Sequence, residues 1–292
     1  MQKPVIAIFA AVSVALSVAT AGAAPPPHGA PAKGHATAKH AARPLDAAAA
    51  TALAARLKSG DAAAMKGALD EIRLAGKSAA SLAPAIDVVL RTGATPELAV
   101  AAMATAGDLG APASSAALRP WSRHRRPELR RAAVKALVKT GGPDAVAALR
   151  DALSDADAIV RGISASGLGS LHAKESVDQL FTALDHRVPE AAAAVGELCT
   201  GAPCDKLLAK LGVLAFDIVV SGLDPMMFRP ASEVTDDQKL KIVEQVRALG
   251  TADANKYLRD VQGRWPHASS AKVKQAIDLA VTATNGAIGG AP

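Results

Sequence analysis

Aromatic side chains are nearly absent from this chain. Its 292 residues include four Phe, two Trp and one Tyr, 2% of the total. Large rings fill the thick cores of sandwiches and barrels, so their scarcity argues against both. Strand signals are missing as well, since no stretch sustains the period-two alternation of a half-buried strand. Cysteine is limited to Cys199 and Cys204, too few for a thiolate metal site. His124, His172, His186 and His267 are isolated, and His28, His35 and His40 fall in a Pro-rich stretch, so neither a metal nor a cofactor is expected. The excess of positive charge is small. The formal net charge is +6, but Lys3, Lys33, Lys39 and Arg43 supply four of these charges and leave about +2 on the remainder. That balance does not call for nucleic acid.

What is present is alanine, which loses no rotamer entropy in a helix and lets helix backbones approach closely. At the N-terminus, Lys3 precedes an apolar run from Val5 to Val18, and Ala21-Gly22-Ala23 supplies the small residues a signal peptidase needs. Residues 1–23 therefore read as a cleaved secretory signal, with the mature chain starting near Ala24. The run is shorter than the roughly 20 residues that cross a bilayer, so no integral membrane segment is expected after cleavage. No cysteine closely follows it, which argues against a lipoprotein. The expected location is periplasmic or secreted. Residues 24–45 are rich in Pro, Ala, Lys and His and lack large apolar side chains, and they read as a disordered basic tether.

Beyond the tether lies a repeat. Pro96-Glu97-Leu98 returns 31 residues later as Pro127-Glu128-Leu129, and after two further periods as Pro189-Glu190-Ala191. The intervening copy is Ala158-Ile159-Val160. Leu129, Arg130, Leu137, Val146, Leu149 and Leu153 map by the same offset onto Val160, Arg161, Leu168, Val177, Leu180 and Leu184. A fixed period of this length marks units that cannot bury a face alone and must stack. In the clearest copy a helix runs from Glu128 to Lys139, Gly141-Gly142 stops it, and Pro143 opens a second helix. The fold class is all-α, an α-α superhelix over residues 46–227. The pattern is expected to break at Pro225-Met226-Met227-Phe228-Arg229-Pro230, with residues 228–292 forming C-terminal capping helices. Thr235 and Gln238 suggest a capping box there.

Leu129-Arg130-Arg131-Ala132-Ala133-Val134-Lys135-Ala136-Leu137, followed by Val146, Leu149 and Leu153-Ser154-Asp155, resembles a HEAT repeat of the short bacterial type, a type also named for phycobilin-lyase-like proteins. Val160-Arg161 through Leu184-Asp185 is a second match. The resemblance covers under half of the chain. It implies a HEAT-like solenoid whose usual work is holding other proteins. Bilin attachment does not follow from it, because a secreted chain meets no phycobiliprotein and no lyase-specific motif is present.

Three groups stand out as candidate sites. Cys199 and Cys204 flank a short Gly-Pro loop, and an oxidising compartment favours a disulfide between them. Arg119, Arg123, Arg125, Arg126, Arg130 and Arg131, with Trp121 and His124 among them, form the densest charge. This is either an anion- or partner-binding ridge or a turn whose cations pair with acids of a neighbouring repeat. Met226, Met227 and Phe228 form an apolar cluster, either a buried plug under the cap or a docking patch. Ser269-Ser270-Ala271-Lys272 and Lys139-Thr140-Gly141 echo penicillin-binding motifs in the wrong order and on the wrong elements, so no catalytic residue is assigned. The expected function is a secreted, non-catalytic scaffold that presents a groove lined by the second helices of successive pairs to a partner protein. An anionic envelope polymer held by tether and ridge, or service as accessory subunit of a protein-modifying enzyme, is the alternative.

Overall fold

The computed structural model describes residues 45–288, with side chains described through Thr284. The signal segment 1–23 and the tether up to residue 44 lie outside the described residues. The tether's last residue, Leu45, is half-buried against the core, and Asp46 caps the first helix by accepting from Ala49 N–H at 2.7 Å.

Among the described residues the elements are all helical. In chain order they are α1 (Ala47–Leu57), α2 (Ala62–Ala75), α3 (Ala83–Thr92), α4 (Pro96–Leu109), α5 (Ser115–Leu118), α6 (Pro127–Thr140), α7 (Gly142–Ala152), α8 (Ala158–Ser170), α9 (Val177–Asp185), α10 (Glu190–Leu198), α11 (Ala202–Leu208), α12 (Phe216–Phe228), α13 (Asp236–Ala248), α14 (Ala252–Arg264) and α15 (Ala271–Ile288). Local chemistry sets their ends. Thr95 caps α4 with Pro96 at its first position, and Asp157 caps α8 by accepting from Ile159 and Val160 N–H. Thr235 and Gln238 make the expected capping box at α13. Gly141, at φ +66°, separates α6 from α7.

The first helices of successive pairs, α2, α4, α6, α8, α10 and α12, stack side by side in sequence order. The second helices, α3, α5, α7, α9 and α11, cover their other side. The α5 copy is short and flanked by 3-10 turns at Pro112–Ser114 and Arg119–Arg123, where Pro112 and Pro120 remove backbone donors. One continuous apolar core runs from Leu53 to Val281. Six leucines and valines of the two clearest repeats, Leu129, Leu137, Leu149, Val160, Leu168 and Leu180, are buried at corresponding positions. Burying each contributes roughly 1.5–3 kcal/mol, which is what ties neighbouring units together.

The layer of first helices is packed to backbone distance. Gly107 of α4 faces the Cα of Ala136 on α6, and Gly196 of α10 faces the backbone of Gly222 on α12. A side chain larger than hydrogen at either place would hold the helices apart. Pro225 lies inside α12, which runs to Phe228 and so ends within the segment Pro225 to Pro230. Stacking thus continues through Phe228, and α13–α15 form the C-terminal unit.

Candidate functional site

Cys199 ends α10 and Cys204 lies in the first turn of α11. Both are buried, and they are joined as a disulfide with Cα atoms 5.2 Å apart. The loop they close is also a clasp. Arg229, at the end of α12, donates to the carbonyls of Gly196 (3.0 Å) and Cys199 (2.6 Å), and Gln238 of α13 donates to Gly201 O at 2.9 Å. Met226 and Met227 are buried in the core beneath this junction, and half-buried Phe228 packs against the Trp265 ring. Both sulfurs are buried, whereas the Phe228 ring is only partly covered.

The arginine ridge is largely spoken for by acids of the following pair. Arg119 lies 3.8 Å from Asp144 and 3.7 Å from Asp151, and Arg123 reaches Asp151 at 2.5 Å. Arg130 grips Asp155 with two bonds of 2.7 and 2.8 Å, and Arg131 meets Asp157 at 2.5 Å. Trp121 donates from its ring nitrogen to Leu90 O and stacks on His124, which makes it part of a seam. Arg125 and Arg126 remain exposed and make no ion pair among the described residues. The ridge is also a repeat feature. Arg130 donates to the carbonyls of His124 and Arg125, and Arg161, 31 residues on, donates to those of Asp155 and Ala156. These pairs bias nearby acids. Hydrogen bonding to Arg131 holds Asp157 below the usual carboxylate range, and Lys139 followed by Arg73 does the same to Asp108.

A second candidate site lies elsewhere. A cleft of about 980 Å³ crosses the exposed face of the first helices, from Val100 and Ala104 on α4, over α6 and α8, to Glu190 on α10. This corrects the expectation of a groove on the second helices. The glycines whose Cβ would meet a neighbouring helix most closely, Gly167, Gly169, Gly196 and Gly222, sit on the first helices, and that layer forms the recess. Position-by-position comparison of repeats explains its shape. Arg131, Lys135 and Lys139 of α6 correspond to Gly162, Ser166 and Ser170 of α8, so the cleft is where three long cationic side chains are missing.

The α6 cations form one wall. Lys135 is exposed and makes no ion pair among the described residues, whereas Lys139 is bound to Asp108 at 2.7 Å. The opposite wall is acidic. The Glu190 carboxylate lies over Gly162 and the Glu197 carboxylate over Gly169, each in space a Cβ would fill. Neither acid has an ion-pair partner among the described residues. Glu97, Glu128 and Glu190 occupy corresponding positions at the start of the first helix in their repeats, but the α8 copy has Ile159, 51% exposed at the cleft's mouth. Sequence reading missed Ile159, Ile163, Lys135, Glu190 and Glu197. Aligning the copies and asking where each departs from the others would have found them. Among the described residues no group of three or more His, Cys, Asp or Glu side chains could hold a metal ion, and no helix is long and apolar enough to cross a membrane.

Residues 82–169 match the sequence family described as HEAT repeats. No curated protein matches the chain. Among solved structures, an engineered protein is 14% identical with a TM-score of 0.42, covering 81% of this chain and 68% of its own. A designed armadillo repeat protein is 15% identical with a TM-score of 0.39, covering 80% and 99%. The complex of CpcE and CpcF of phycocyanin lyase from Nostoc sp. is 16% identical with a TM-score of 0.42, covering 87% and 100%. At such identities nothing about activity transfers. Residues 82–169 match HEAT repeats, and the described chain is an all-α solenoid.

Proposed function

We propose that this HEAT-repeat solenoid is a non-catalytic scaffold of the cell envelope, exported on its N-terminal segment, and that a partner protein docks in the cleft on the first helices. The observation that carries the reading is Ile159. An acid at that position would favour the positive end of the helix dipole and would sit comfortably in water. An isoleucine half-exposed there loses both advantages, and a contacting partner restores the balance by covering it. The floor beside it, Val100, Ala104, Ala132 and Ile163, is apolar, and the rim is charged, the usual division between core and edge of an interface.

The ridge gives less support to the polymer-binding alternative, because only Arg125 and Arg126 keep their charge free of acids. Export is supported by the apolar run Val5 to Val18 and by the pairing of the chain's two cysteines. We place neither nucleic acid nor cofactor among the partners.

Site-specific photo-crosslinking in the native cell tests the docking face. A photoreactive residue at Ser166, on the cleft floor, should yield a discrete protein adduct, and one at Asp178, exposed on α9, should not. Equal adducts at both positions, or none at Ser166, overturn the reading. N-terminal sequencing of the protein from the envelope fraction should begin near Ala24. A chain that retains Met1 and stays in the cytoplasm overturns export.

A further inference from the structure

Resting on the docking reading above, the geometry points to one kind of occupant: a single amphipathic α-helix of the partner protein, lying along α8 with acidic side chains on the flank facing α6 and basic side chains on the flank facing α10.

Charge comes first. Lys135 stands on one wall without an acid, beside Arg131 and Lys139, whose heads are only partly used by Asp157 and Asp108. Glu190 stands on the other wall, with Glu197 beside the cleft over Gly169, neither with a cation among the described residues. Glu128 is the exception, an acid on the cationic wall, and it sits at the first turn of α6 by the cleft's mouth. Between the walls, the part of α8 that lines the cleft carries Ile159, Ile163, Ser166 and Ser170 and no charged residue. A complementary body therefore needs an apolar stripe bounded by opposite charges.

Width comes second. Packed helices lie 8–10 Å apart, so the axes of α6 and α10 are separated by roughly 16–20 Å across α8. A helix lying on α8, itself about 8–10 Å above it, has its axis roughly 11–14 Å from those of α6 and α10, within reach of long charged side chains on both. The 13 residues of α8 make a floor about 20 Å long, enough for three to four turns of a partner.

Backbone chemistry decides between helix and extended strand. An extended segment brings unpaired N–H and C=O groups that require partners when buried. The helices lining the cleft have their own backbone bonds satisfied, and no Asn or Gln side chain lines it. Ser166 and Ser170 offer two hydroxyls, far short of what a strand would need. A helix arrives with its backbone bonds already made, and its side chains at i, i+3, i+4 and i+7 read the surface.

The test uses synthetic peptides and the full-length disulfide-bonded protein. The first probe is a lactam-stapled 15-residue helix with a Leu/Ala stripe, Glu on one flank and Lys on the other. The controls carry Glu on both flanks, Lys on both flanks, or the mixed flanks with two prolines in place of the staple. Fluorescence anisotropy should give the mixed-flank helix at least about fivefold tighter binding than either uniform control, the worth of about one charge pair. Lys135→Glu should weaken the mixed peptide by a similar factor, as should Glu197→Lys. Equal binding of the proline-broken peptide, indifference to flank charge, or no binding at about 1 mM mixed peptide overturns the inference. Its failure is distinguishable from that of the docking reading. Adducts at Ser166 with any of these peptide results would leave the docking face standing and remove only the helical, two-flanked partner.

Discussion

Two glycine-to-alanine changes should move stability in opposite directions. Gly196 lies in α10, and a Cβ there would meet the Gly222 carbonyl of α12 about an ångström inside the 3.0 Å that real Cβ atoms keep. Alanine itself favours the helix by roughly 1 kcal/mol over glycine. The obstacle, however, is the backbone of a neighbouring helix, which cannot rotate away like a side chain. Overpacking costs about 1–3 kcal/mol where side chains can yield. Here α10 and α12 must separate, loosening Val195, Leu198, Leu223 and Met226 together, and we expect a net loss of about 3 kcal/mol. For a folded unit of this size that lowers Tm by roughly 6–12 °C. Gly263 in α14 has nothing within 4 Å of its would-be Cβ, so Gly263→Ala should gain about 0.5 kcal/mol and raise Tm by 1–2 °C, by about the same scaling. Thermal melts followed by far-UV circular dichroism, with the disulfide intact, read both. A Gly196→Ala variant melting at or above its parent would refute backbone-close stacking of the first helices.

Other consequences follow from the same contacts. Arg130→Ala removes two bonds to Asp155 and two to carbonyls and should cost about 2–3 kcal/mol, whereas Arg161→Ala, which removes bonds to carbonyls only, should cost about 1 kcal/mol. Urea titrations giving equal losses would contradict that ranking. Asp108, Asp157, Asp185 and Asp278 lie below their ordinary pKa values because Lys139, Arg131, Lys210 and Lys274 hold their charged forms. Their folded pKa is lower than their unfolded one, so their contribution is complete above the ordinary value near 4 and drains as pH falls through it. Tm should be level between about pH 6 and 5 and decline below about pH 4 as these acids protonate, and a Tm that rises on acidification would contradict the pairing. Reducing Cys199–Cys204 slackens the clasp held by Arg229 and Gln238. A closed loop this short is worth about 2 kcal/mol, so amide exchange in α13–α15 should speed roughly 30-fold while α4–α8 stay unchanged. Uniform acceleration along the chain would show that the clasp does not act locally.

The fold was largely legible because its signal repeats. Leu129, Leu137 and Leu149 and their copies Val160, Leu168 and Leu180 must all face inward, and one period of 31 accounts for them. Which helix of each pair forms the recess was harder to read, since both carry one apolar face. The deciding trait is close approach, and it resides in Gly107, Gly167, Gly196 and Gly222, whose meaning depends on neighbours far away in sequence. Pro225 lies inside α12, yet the helix ends three residues later at Phe228, within the segment that the prolines at 225 and 230 mark out. The arginine cluster drew attention as a run of charge, although pairing with Asp151, Asp155 and Asp157 of the next repeat absorbs most of it. Ile159 and Glu197 were invisible in any single repeat and emerge only as departures from the repeat's own pattern.

Ile159→Glu tests the central claim most directly, because it separates what is good for the fold from what is good for binding. Restoring the acid found in the neighbouring copies should raise Tm slightly, by the 0.3–1 kcal/mol or so that a carboxylate gains at a helix N-terminus. In the same variant, partner capture through a photoreactive Ser166 position should fall at least about tenfold, the equivalent of 1.4 kcal/mol of lost contact. Undiminished capture by the more stable variant would mean that the cleft over α8 is not where the partner sits.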